Sequence, residues 1–151
     1  MSAEKKLREL QIILPKSIPP AANYIPAKRV GNLLYISGQA AFKDGKLVHT
    51  GKLGGEVTVE EGYYAARIAA INILSILKEY LGDLDKVKNV VKVNGYIASA
   101  PDFYMQPKVL NGASDLLADV FTGCGNHART AIGQVVLPFN TPVEVEAIFE
   151  V

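Results

Sequence analysis

The sequence predicts an α+β fold: a mainly antiparallel sheet, mixed in places, with two long helices on one face. Two observations carry this reading. Only two stretches are long enough and periodic enough for substantial helices, and the elements run β-α-β and then α-β-β. Strands outnumber helices, and no repeat or linker divides the chain. With 151 residues, positions 1–151 suit a single domain, with 1–17 reading as an N-terminal helical extension.

The extension comes first. "SAEKKLRELQIILP" places Leu7, Leu10 and Ile13 at helical spacing, and Pro15 stops the pattern. "SIPPAANYIPAKR" is too rich in proline for a regular element and reads as an extended arm. In "VGNLLYISGQAAF" the Gly31-Asn32 turn signal precedes an apolar run to Ile36, a strand. Asp44-Gly45 then marks a tight turn, a candidate small hairpin.

Thr58 and Glu61 fit a capping box, and about six helical turns follow to a stop at Gly82. Ala65, Ala66, Ala69 and Ala70 let this helix lie close on a sheet. "DKVKNVVKVNGYIAS" alternates Val87, Val91, Val93 and Ile97 with polar residues, a half-buried strand. "PDFYMQPKVLNGASDLLADVF" is the second helix, its apolar face made by Val109, Gly112, Ala113, Leu116, Leu117 and Val120. "ARTAIGQVVLP" and "PVEVEAIFEV" close the chain as strands around a Phe139-Asn140-Thr141 turn. "LLYISGQA" and "TAIGQVVL" carry no charge on either alternation, so the face away from the helices calls for cover. An oligomer packing sheet against sheet supplies it.

Composition narrows the function classes. Sixteen basic against fifteen acidic side chains give a formal charge of +1, without the basic surplus of a duplex-binding protein. The single Cys124 cannot form an internal disulfide, which suits a reducing, cytoplasmic setting. The N-terminus shows no secretory pattern, and the longest apolar-rich stretch, Ala65 to Leu77, is too short to span a bilayer. Walker and nucleophile-elbow motifs are missing. Cys124 and His127 stand at half of a zinc spacing, but His49 is remote and no second cysteine exists, so no metal site is expected. As a thiol–imidazole pair they are too close on one loop to converge.

What remains is a polar set within apolar strands. Ser37 follows an apolar run, Arg129 opens the penultimate strand, and Glu144 and Glu146 share one face of the last. Taken singly, each fits an exposed edge or a salt bridge as well as a site. Together they offer a cation able to hold a carboxylate by two parallel bonds and a carboxylate able to steer water.

At these residues the chain resembles the RidA/YjgF family, also called endoribonuclease L-PSP, from about Ile18 to Val151. "GNLLYISGQ" resembles the family's Gly-Asn…Ser-Gly-Gln strand, "AARIAAIN" its Ala-Arg…Asn helix, and "ARTAIGQVVLP" with "VEVEAI" its C-terminal signature. The resemblance implies a chorismate-mutase-like homotrimer with clefts between subunits. It also implies hydrolysis of reactive enamines and imines of the 2-aminoacrylate type to 2-keto acids and ammonia, without metal or cofactor. Carried over by position, Arg129 clamps the substrate carboxylate and Glu144 places the water. Tyr24 and Ser37 shape the pocket, Asn111 fills the family's asparagine position, and Thr130 stands for the signature's serine. His127 replaces the signature's proline, and the N-terminal helix and long loops resemble a divergent branch. Two other readings follow from the resemblance: a carboxylate-binding trimer with a sensing role, and a ribonuclease, which the near-neutral charge disfavours.

Overall fold

The computed structural model describes residues 2–151 and contains a five-stranded sheet backed by two helices. The elements are α1 (Ala3–Glu9), β1 (Ala27–Val30), β2 (Leu33–Ala40), β3 (Phe42–Lys43), β4 (Lys46–Leu47), α2 (Val59–Leu81), β5 (Asn89–Ala98), α3 (Gln106–Val120), β6 (Ala128–Gln134) and β7 (Val143–Glu150). The main sheet runs β1-β2-β7-β5-β6 and is antiparallel throughout except for the parallel pair β5 and β6, which α3 connects. The anticipated α+β architecture, with two long helices on one face, is the one observed.

α1 is shorter than the spacing of Leu7, Leu10 and Ile13 predicts. Gln11 takes a left-handed conformation (φ 55°), Ile12 N–H bonds Leu7 O, and Gln11 N–H bonds Arg8 O. This Schellman closure satisfies the last carbonyls and turns the chain two residues before Ile13, which is left 92% exposed. The arm that follows ends in a strand, β1, where the sequence suggests only irregular chain. Lys28 and Arg29 sit on its exposed edge, and such charges hide a strand from a hydrophobic pattern while protecting the sheet from further pairing.

α2 begins as its capping box requires: Thr58 Oγ1 accepts from Glu61 N–H, and Glu61 Oε2 accepts from Thr58 N–H at 2.8 Å. It ends on Gly82 in the left-handed region (φ 76°). The face predicted for α3 is buried in full. Gly112 lets α3 approach α2 closely, since a Cβ there would collide with the Tyr63 carbonyl on α2. Asn72 reaches from α2 to the sheet and donates to the Ala40 and Phe42 carbonyls, at 3.1 and 3.0 Å, where β2 gives way to β3. That bond gives the asparagine of "AARIAAIN" a structural task.

Two bulges decide which side chains face which way. One residue too many on β5 between Val90 and Lys92 buries Val90 and turns Val91 outward, so Val91 leaves the inward row of Val93 and Ile97, while Val87 is buried just ahead of the strand. A second bulge, on β2 between Ile36 and Gln39, falls on Ser37-Gly38. Buried Gln39 donates its side-chain amide to the Ser37 and Gly38 carbonyls, satisfying groups the bulge removes from the ladder.

β7 lies in the middle of the sheet, between β2 and β5, so its glutamates are not on an edge. Val143, Val145, Ala147 and Phe149 point into the core beneath the helices. Glu144, Glu146 and Ile148 point to the opposite, open face, with Tyr35, Asn94 and Tyr96 on the neighbouring strands. Tyr35 on β2 and Ile132 on β6 are each 42% exposed on this face. The side expected to be neutral is therefore carboxylate-bearing at its centre and apolar at its flanks.

Candidate functional site

The sheet divides the predicted site residues between its two faces. Arg129 pairs in register with Val93, a core residue, so its side chain leaves β6 on the helix side. There it meets α3: Nη1 donates to Asn111 Oδ1 at 2.7 Å and to Ser114 Oγ at 3.1 Å, and Nη2 donates to the Pro107 carbonyl at 3.2 Å. No carboxylate pairs with it among the described residues. Of the five guanidinium donors, Nε–H and one Nη2–H have no partner among the described residues, leaving two donors for a planar acceptor.

Ser114 and His127 extend this network and were not singled out as site residues by the sequence. Ser114 Oγ accepts from Arg129 and also lies 3.0 Å from His127 Nε2. His127 Nδ1 in turn donates to the Gly125 carbonyl at 2.7 Å, which fixes the neutral ring in one tautomer. Both ring nitrogens are thereby engaged, and neither is offered to Cys124. The signal for Ser114 is its place three residues after Asn111 on α3, one helical turn along the same face.

On the open face a cleft of about 730 Å³ holds Tyr24, Ser37, Glu144 and Glu146 together, with Gly38, Phe42 and Phe139 among its walls. Ser37 Oγ donates to the Ile25 carbonyl at 2.7 Å and Ser37 N–H bonds the Pro26 carbonyl, so β2 fastens the arm that carries Tyr24. The Tyr24 hydroxyl accepts from Ala21 N–H at 3.3 Å, and the residue is 47% exposed. Glu146 is held from β5: Asn94 Nδ2 and Tyr96 OH each donate to its Oε1 at 2.9 Å. Burial and the adjacent Glu146 carboxylate push the Tyr96 phenol above its ordinary range.

Glu144 has none of these supports. Its carboxyl lies across Gly38, where a Cβ would strike Oε1, and it accepts no hydrogen bond from the described residues. Burial, and secondarily the charge of Glu146, raise its pKa above the usual glutamate value. A carboxyl so placed takes and returns a proton nearer neutrality than a solvated one. The Gly38 bulge makes room for it.

Phe139 shapes the other wall of the cleft. It holds a left-handed backbone (φ 59°), followed by Asn140 in the same region (φ 60°), and its ring meets Phe42 edge to face at 5.7 Å. Thr130 also faces the open side, where Lys92 Nζ donates to its Oγ1 at 3.1 Å. Within one chain, then, Tyr24, Ser37 and Glu144 come together, and Arg129 and Asn111 come together. The two sets lie on opposite faces of the sheet, and Thr130 lies away from its neighbour Arg129.

A mixed sheet with two covering helices, a carboxylate-bearing open face and an arginine braced at one edge defines an α+β protein of chorismate-mutase-like architecture. Residues 4–151 match the family described as "YjgF/chorismate_mutase-like, putative endoribonuclease", and the chain belongs to that family. It is 46% identical over 145 residues to Protein TCP17 of Trypanosoma cruzi, spanning 95% of this chain and 91% of that protein. A "putative endoribonuclease" from Shewanella oneidensis is 34% identical and superposes over 100% of both chains with a TM-score of 0.97. The Agrobacterium tumefaciens protein Atu1372 is 45% identical, with a TM-score of 0.91 over 99% of this chain and 92% of its own. Among the described residues, no helix is long and apolar enough to cross a membrane.

Proposed function

We propose that the protein hydrolyses small carboxylate-bearing enamines or imines, of the 2-aminoacrylate type, to 2-keto acids and ammonia. The observation that carries this reading is Glu144: a half-buried carboxyl with raised pKa and no hydrogen bond from the described residues, poised over a cleft that also holds Tyr24 and Ser37. An imine carbon is already electrophilic, so the chemistry asks for an oriented substrate and a water with somewhere to leave its proton. Glu144 accepts that proton as water adds. The imine nitrogen takes up a proton from solvent to give the carbinolamine. This loses ammonia as Glu144 returns its proton to the nitrogen and the hydroxyl proton leaves to solvent, forming the keto carbonyl. Arg129 supplies orientation through its open fork, with Asn111 and Ser114 fixing the guanidinium plane.

Because Arg129 and Glu144 lie on opposite faces of one sheet, the reading requires the β6 edge of one copy beside the Glu144 cleft of another, in a homotrimer. The cleft itself is lined by two carboxylates and no cation. One arriving guanidinium balances one substrate carboxylate but not a polyanion, which favours a small acid over RNA.

The test is keto-acid release from an amino acid supplied with an amino-acid oxidase or dehydratase. Arg129→Ala and Glu144→Gln should each abolish the acceleration. Co-refolding equal amounts of the two variants should restore about one quarter of the sites, those drawing Arg129 and Glu144 from different chains. Absence of acceleration by the unmodified protein across several amino acids would rule out the deaminase. Carboxylate binding dependent on Arg129 without turnover would leave a sensing trimer in its place.

A further inference from the structure

A second cleft, of about 380 Å³, lies on the other side of the arm and is not used by the proposed reaction. Its floor is one stripe of α2, formed by Tyr64, Arg67, Ile68 and Ile71 at helical spacing. Its roof is the stretch from Gln11 to Ile18, and the β3–β4 hairpin closes one end. Ile18 and Phe42 belong to both clefts, forming a shared wall.

The roof is tied down at both ends. Lys78 Nζ of α2 donates to Glu4 Oε1 of α1 at 2.7 Å. Beyond the cleft, Glu79 accepts from Ser17 N–H at 2.7 Å and from Ser17 Oγ at 2.5 Å. A cavity held this way exists before any ligand arrives, so less ordering cost is charged to binding.

Its chemistry is two-part. Ile12, Ile13, Ile18, Ile68, Ile71 and Phe42 supply apolar surface, while Lys16, Lys43 and Arg67 supply three cations against the single carboxylate of Asp44. Lys43 Nζ donates to Tyr64 OH at 3.2 Å, a neutral partner that leaves its charge uncompensated. Partly buried Arg67 makes no hydrogen bond or ion pair with the described residues. An unpaired guanidinium and an uncompensated ammonium over an apolar floor call for an anion with a hydrophobic body.

We propose that this cleft is a binding site for a small amphiphilic carboxylate, its anionic head between Arg67 and Lys43 and its hydrocarbon against Ile68, Ile71 and Phe42. The site is independent of the Arg129 fork and lies across a shared wall from the Glu144 cleft.

The probe is octanoate, titrated by calorimetry and followed by amide chemical shifts. Saturable binding should perturb Ile12, Ile68 and Ile71. Arg67→Gln and Lys43→Gln should each weaken it about tenfold, with the hairpin variant covering the case in which a change in α2 disturbs folding. Arg129→Ala should leave octanoate affinity unchanged. The proposal is overturned if octan-1-ol binds as tightly, if neither neutralisation matters, or if Arg129→Ala abolishes binding, which would assign the acid to the other site. A failed deaminase assay touches none of these outcomes.

Discussion

The helix-side edge and the open face treat their charged groups in opposite ways. Arg129 is braced by three acceptors from α3, and the serine among them is itself set by His127. Glu146, on the open face, is braced from β5, but Glu144 beside it has no donor among the described residues and is pushed toward its neutral form. A fold can satisfy a cation with carbonyls and hydroxyls from a neighbouring helix at little cost. It leaves a half-buried carboxyl unpaired only where something else is to meet it. The contrast separates a group that is held in place from a group that is kept available.

The sharpest way to break this comparison is to remove the braced cation. Arg129→Ala should lower kcat/KM for imine hydrolysis by about 10²–10³-fold, the cost of losing a desolvated charged pair. Arg129→Lys should fail to restore it, since an ammonium cannot reproduce the fork. Removing a brace should cost less. Ser114→Ala should reduce kcat/KM about tenfold, mostly through KM, while Cys124→Ala changes nothing.

Packing of the helix layer can be tested apart from chemistry. Gly112→Ala should destabilise the protein by about 3 kcal/mol in urea unfolding, because the new methyl meets the backbone of α2 and not a side chain that can swing away.

The smallest effect carries the most diagnostic sign. A carboxyl whose pKa is raised on folding binds more protons folded than unfolded. Its stability contribution is therefore full below the ordinary glutamate pKa and is lost as pH rises through the raised value. Glu144→Gln should raise the melting temperature slightly at neutral pH, and the gain should vanish in acid. A loss of stability at neutral pH would mean that a cation from a second copy pairs with Glu144 directly. Glu146→Gln removes the like charge and should move the acid limb of the rate profile to lower pH.

Much of this was legible in the residue string because it is governed by local rules. The Thr58–Glu61 box, the Gly82 stop and the face of α3 depend on spacing alone, and all appear as read. Features that depend on register were not legible. The β5 bulge turned Val91 out, the charges of Lys28 and Arg29 concealed β1, and Gln11 ended α1 through a conformation that nothing in its side chain announces. The same limit applied to the site. Sequence proximity puts Thr130 beside Arg129, but strand alternation sends them to opposite faces. Ser114 entered only through the tertiary contact of α3 with β6.

Phe139 bears on how such a protein tolerates improvement. A phenylalanine in the left-handed region costs on the order of 1–3 kcal/mol that glycine would not. A search for heat-resistant variants should find Phe139→Gly early, and reward it. The same change removes a wall of the Glu144 cleft and the edge-to-face contact with Phe42. Selection on melting temperature alone would therefore erode the cleft, whereas selection on ligand occupancy would keep the awkward residue.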